Sequence, residues 1–153
     1  MIDRSFNLPY FRELLRSGKR HRSGGYINVS PGKGKGGYFR EHVLIAEVAI
    51  GHRLPDGAEV HHFDAVRSHN ANTNLVVCED RAYHMLLHSR QRISDAGYDP
   101  NDYKICSLCQ TAKPRSEFHS DTDRYDKKEG RCKPCLLTNQ AAGYARRQSE
   151  KLK

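Results

Sequence analysis

Residues 59 to 88 read "EVHHFDAVRSHNANTNLVVCEDRAYHMLLH" and hold five of the nine histidines in a chain of 153 residues. The Pro/Gly turn of "HRLPDGAEV" leads into a short strand that ends at His61 and His62. A polar loop follows, "NLVVC" makes a second strand, and "EDRAYHMLLHSRQR" reads as a helix. The order is strand, loop, strand, helix. His84 and His88 stand four apart, so both leave one face of the helix about one turn apart and can grip a single metal ion. A strand ending at His61 brings a third imidazole opposite them. Side chains alternate across a strand, so His61 and His62 point to different sides, and one can serve a metal while its neighbour serves a substrate.

That division suits metal-assisted phosphodiester hydrolysis. A divalent ion neutralises the scissile phosphate, and a neutral imidazole takes a proton from the attacking water. Asn74, where the loop re-enters the second strand, is placed to hydrogen-bond across the loop and hold the strands in register. Asp64 and Asn70 are candidates to cap the same loop. His42 is expected to pack and hydrogen-bond near the core, His21, His52, His69 and His119 to be solvated or to face phosphates, and Cys78 to be a small buried apolar group.

Upstream, "LPYFRELLRSGKRHRSGG" starts as a short helix after Pro9 and passes into a basic segment that ends in glycine. "GYINV" alternates as a strand, and "SPGKGKGGYFREH" is a Gly/Lys hairpin tip returning through Tyr38 and Phe39. It lacks the Gly-Lys-Ser/Thr ending and the following helix of a phosphate-binding P-loop, so nucleotide binding is not expected of it. Glu41 to Gly51 place Val43, Leu44, Ile45, Val48 and Ala49 on a largely apolar helix stopped by Gly51.

The histidine-rich stretch resembles the HNH endonucleases, especially the phage and homing type, whose pattern is a His-His or Asp-His pair, an Asn-Leu some dozen residues on, and a final His or Asn on a helix. "GYINV" and "YFREHVLIAEVAIGHRLPDGAEV" resemble the segment before that motif in phage members, so the likeness covers residues 25 to 92. It implies a ββα-metal core, a divalent metal (Mg, Mn or another transition ion), DNA as substrate and a phage-encoded protein acting in the bacterial cytoplasm. It also implies that His62 is the general base, that His61 and His84 are metal ligands, that Asn74 is the middle Asn, and that His88 is a further candidate ligand as in colicin-type nucleases. Ala65 stands where the family often has Gly. The helix His comes one residue later than in many relatives, which leaves His84 and His88 both open as the principal ligand.

"CSLCQTAKPRSEFHSDTDRYDKKEGRCKPC" carries a second signal. Cys106 and Cys109 form one C-x-x-C and Cys132 and Cys135 another, at a separation typical of a four-cysteine zinc site. The segment is too polar to fold on a core of its own, and structural zinc contributes roughly 10–16 kcal/mol apparent in small fingers. Four protein ligands leave no open position, so this zinc is structural. The stretch resembles a zinc-ribbon or treble-clef-like module.

Twenty-six Lys and Arg against eighteen Asp and Glu give a net charge of +8, a balance that suits a polyanionic partner. Lys19, Arg20, Arg22, Lys33, Lys35 and Arg67 are the candidate DNA contacts, with the basic tail beside them. "VLIAEVAI" is far shorter than the ~20 residues of a membrane span. "MIDRSFNLPYFRELLRSGKR" has charges where a signal peptide would have its apolar region, so the expected location is cytoplasmic. The expected organisation is an α+β chain: a basic segment over 1–24, a nuclease core over 25–92, a polar linker over 93–104, a zinc module over 105–136 and a basic tail over 137–153. Two other readings fit the same residues: a non-catalytic zinc-finger nucleic-acid-binding protein on an HNH scaffold, and a nuclease directed at RNA.

Overall fold

The structure is a computed structural model that describes residues 6–32, 36–139 and 141. Lys33 and Lys35 lie outside the described residues, as do 140 and 142–153 of the basic tail. The chain is α+β and divides into two compact units, Met1–His84 and Met85–Lys153. Among the described residues no helix is long and apolar enough to cross a membrane.

The first unit opens with α1 (Leu8–Ser17), capped by the Asn7 side chain, which accepts from the Tyr10 amide at 3.0 Å. Gly18 ends it, and a Cβ there would press into the Leu14 carbonyl and the Val29 side chain, so the tight exit into the next strand requires glycine. β1 (Lys19–Ser23), β2 (Tyr26–Ser30) and β3 (Phe39–Arg40) form an antiparallel sheet in that order, with Lys19 opposite Ser30 and Val29 opposite Phe39. The basic segment after α1 is thus a strand. Its five residues, KRHRS, are all exposed, so it carries no apolar alternation, and pairing with β2 alone makes it extended. Phe11, Leu14, Val29 and Leu44 make the core, with Phe39 against it.

α2 (Glu41–Ile50) ends at Gly51 in the left-handed conformation, φ 84°. Its burial differs from the expected apolar face. Glu41, His42 and Glu47 are buried with Leu44 and Ala46, whereas Val43, Ile45 and Val48 are only half-buried and Ala49 is exposed. Buried polar groups on a helix need partners. Glu47 has Arg53 at 2.6 Å and the Leu54 amide at 3.2 Å, and Glu41 has Arg20 at 2.6 Å.

β4 (Glu59–His62) and β5 (Leu75–Cys78) pair antiparallel, Glu59 opposite Cys78 and His62 opposite Leu75. Cys78 is fully buried, and burial raises its thiol pKa above the ordinary value. α3 (Arg81–Asp95) follows, and the division between the two units falls within it.

In the second unit the stretch expected as a linker is closely bonded. The Tyr98 amide donates to Ile93, Tyr103 to Asp99, and Arg90 to the Asn101 side chain at 2.9 Å. β6 (Tyr103–Ile105) and β7 (Ala112–Pro114) form a hairpin, and residues 133–139 are helical. Between them Lys104 and Asp126 make a buried ion pair, and the Asp126 backbone carbonyl also accepts from Arg115 at 2.6 Å.

Candidate metal centre and its surroundings

The two faces of β4 carry different chemistry. His61 is 3% exposed, and its ring stands edge-on to that of His84 with centroids 5.2 Å apart. Glu59, two residues earlier on the same face of the strand, accepts a hydrogen bond from Nδ1–H of His84. That bond, more than any other influence, holds the Glu59 carboxyl below its ordinary pKa. With Nδ1 engaged, Nε2 is the nitrogen His84 can offer an ion. A carboxylate that orients a ligating imidazole also raises its basicity. His88 follows His84 by one turn of the same unbroken helix, and one ligand atom from each of His61, His84 and His88 lies within 4.8 Å of the others. Three imidazoles fit a transition ion and leave coordination positions open.

His62 sits on the other face of β4. Its Nε2 lies 2.9 Å from Oδ1 of Asn70, within hydrogen-bonding distance, and its ring lies 5.0 Å from that of His42. His42 in turn stacks on Tyr26 at 5.1 Å. Burial, then the neighbouring His62 and Arg40, push the His42 pKa down to about 4, so it is neutral at pH 7. Its Nδ1 is buried with no hydrogen-bond partner among the described residues, so packing is its contribution there.

Asn74 ties the loop between the strands. Its Oδ1 accepts from the Asp64 amide at 3.0 Å, and its Nδ2 donates to Asp64 Oδ1 at 2.9 Å and to the His69 carbonyl at 2.7 Å. Its own carbonyl accepts from Phe63 at 2.8 Å. Asp64 also accepts from the Val66 amide and pairs with His69, and the His69 contact is the main reason its carboxyl falls to about 2. Ala65 takes φ 60°, the left-handed conformation that glycine adopts without strain. Asn70 does not close this loop as expected. It reaches away to His62 and to Glu41.

The candidate DNA contacts separate by what holds them. Lys19 and Arg22 are exposed on β1. Arg20 is bound to Glu41 and donates to the Leu15 carbonyl. Arg67 lies over the Tyr26 ring at 5.2 Å and reaches the Gly24 carbonyl at 3.4 Å. A groove of about 420 Å³ is lined by Lys19, Arg20, His21 and Tyr38 among others.

The four cysteines of the second unit form their own centre. Cys106 and Cys109 lie in the β6–β7 turn, where Gln110 takes φ 56° and its amide returns to the Cys106 carbonyl at 2.9 Å. Cys132 and Cys135 flank the start of the helix over 133–139. One sulfur from each lies within 4.8 Å of the others, all five cysteines of the chain are unbridged, and Cys106 and Cys132 pack on Phe118 as the local core. Burial pushes the Cys106 thiol up, but the amides of Cys132, Cys109 and Leu108 outweigh it and bring it down to about 6. The Thr111 amide lowers Cys109, while hydrogen bonding to Cys132 pushes Cys135 up to about 12. Sulfurs this close cannot all ionise unless a cation sits among them, and a soft divalent ion does that. The donor set fits a structural metal.

That Asn70, Glu41, His42 and Tyr26 meet around His62 has no sequence signal, because they come from three separate elements. Glu59 had one: it lies two residues before His61 in a strand and so shares its face. Comparison of the chain with family models, with curated proteins and with solved structures finds no match.

Proposed function

We propose that the chain is a metal-dependent HNH-type endonuclease that hydrolyses DNA phosphodiester bonds, built on a ββα-metal core and carrying a treble-clef-like zinc module. The observation that carries this reading is the split across β4. His61 faces His84 on α3, with His88 one turn further on, and His62 turns its ring to a separate, hydrogen-bonded wall. A metal-binding set beside an imidazole that is not part of it is what water-activating hydrolysis needs.

In this reading His61, His84 and His88 would hold a divalent ion, which when bound neutralises the scissile phosphate and the leaving oxygen. Glu59 orients His84 through Nδ1. His62 donates Nε2–H to Asn70, so its lone pair lies on Nδ1, and Nδ1 takes the proton from water. Asn74 keeps the loop, and with it the end of β4, in register. Lys19, Arg22 and Arg67 supply positive charge for the phosphate backbone. An all-imidazole set favours Ni²⁺ or Zn²⁺ over Mn²⁺ and Mg²⁺, which prefer oxygen ligands. In the second unit, one cysteine pair in a hairpin turn and the other at a helix start support the treble-clef form over a ribbon of two hairpins.

The test is supercoiled plasmid incubated with the full chain, first without added metal and then with Mn²⁺, Ni²⁺, Zn²⁺ or Mg²⁺. Conversion to open-circular or linear DNA on metal addition is expected. A folded protein that binds the plasmid and cuts with none of the four ions contradicts the reading and favours the non-catalytic binding protein.

A further inference from the structure

We propose that Asn70, held by Glu41 and Arg20, is a positioning residue that sets the tautomer of His62 and thereby places its lone pair on Nδ1. This rests on the reading of His62 as the base, and deepens it.

A relay of three hydrogen bonds leads away from the imidazole. His62 Nε2 lies 2.9 Å from Asn70 Oδ1, Asn70 Nδ2 lies 2.7 Å from Glu41 Oε2, and Glu41 Oε1 lies 2.6 Å from Arg20 Nε. Each link fixes the next. Arg20 can only donate, and the Glu41 carboxylate opposite it can only accept. Asn70 must therefore turn its NH₂ towards Glu41, which leaves its carbonyl oxygen facing His62. A carbonyl oxygen also only accepts, so the proton of the neutral imidazole goes to Nε2. Glu41 is 6% exposed, and a buried carboxylate held by a guanidinium on one oxygen and an amide on the other has little freedom to rearrange. Asn70 and Glu41 are 29 residues apart and Arg20 and Glu41 are 21 apart, so loop, helix and strand all converge on one ring nitrogen. Arg20, which the sequence offers as a DNA contact, is here the far anchor of the relay.

The chain differs from a general-purpose loop cap in one testable respect, which is that it dictates a proton position. The full chain carrying ¹⁵N-labelled histidine, kept zinc-loaded with no other metal added, is examined by long-range ¹H–¹⁵N correlation at a pH above the ordinary imidazole range of ~6.5. His62 is expected as the Nε2–H tautomer in the wild type, with a substantial Nδ1–H population in Asn70→Ala. The exchange pair Asn70→Asp with Glu41→Gln restores a donor behind and an acceptor in front, and is expected to keep Nε2–H, so it carries the test if Asn70→Ala does not fold. On plasmid, Asn70→Ala should lower kcat about 10–100-fold with KM little changed, the loss typical of an outer partner of a site histidine, and the exchange pair should recover most of it. A wild-type Nδ1–H tautomer, an unchanged tautomer in Asn70→Ala, or an Nδ1–H tautomer in the exchange pair overturns the proposal. Tautomers as expected in a protein that never cuts DNA would instead remove the nuclease reading and leave the relay standing.

Discussion

At the scale of single residues, His42 shows how a site is walled with a titratable group kept neutral. Its pKa is lowered from 6.5 to about 4, chiefly by burial. Because the folded value is depressed, the unfolded chain binds the proton first as pH falls. The stability this group contributes is complete above about 6.5 and is lost as pH falls towards 4. Urea unfolding should therefore show a fall in stability across that window, and His42→Phe, which keeps a ring against Tyr26, should lose less over the same range. Equal pH dependence in the two proteins would contradict this. The catalytic candidates His61, His62, Asn74, His84 and His88 were legible from spacing because they lie within thirty residues of one another and on regular elements. Asn70, Glu41 and Arg20 were not. A polar contact between residues more than twenty apart leaves no periodic trace, and nothing in the sequence marks Glu41, at the start of an apolar helix, as the 6% exposed residue it is.

At the scale of elements, the strand pair and α3 follow from apolar runs broken by Pro, Gly and Asn, which is why their order could be read directly. β1 could not, since KRHRS has no apolar residue and its extension comes from β2. Two backbone positions test how tightly these elements are joined. Ala65 at φ 60° occupies a conformation that costs a non-glycine residue about 1–2 kcal/mol. Ala65→Gly should raise stability by ~0.5–1 kcal/mol, less than the strain relieved because glycine is freer when unfolded; urea midpoints measure it. Gly18→Ala acts in the opposite sense, since the added Cβ meets the Leu14 carbonyl and Val29, and a loss of about 1–3 kcal/mol is expected from overpacking.

At the scale of the whole molecule, the two candidate metal centres differ in their donors, imidazole in one and thiolate in the other. Four sulfurs around one ion would leave no open position, and two of them belong to the buried cluster around Phe118, so loss of the metal should cost the local fold. Metal analysis should find one tightly held zinc per chain, and Cys106→Ser should lose that zinc together with ordered structure around β6 and β7. Retention of zinc and of native circular dichroism in Cys106→Ser would contradict the assignment. The histidine centre should behave otherwise: His61→Ala and His84→Ala are expected to abolish metal-stimulated cleavage at ordinary metal concentrations while leaving the zinc count unchanged. The central claim is that His62 takes a proton from water and holds neither metal nor DNA. It is tested most directly by comparing wild type and His62→Ala for plasmid cleavage at saturating metal and for DNA affinity in the same buffer. Cleavage lower by roughly 10²–10⁴-fold with affinity nearly unchanged is the predicted result, and cleavage at the wild-type rate would contradict it.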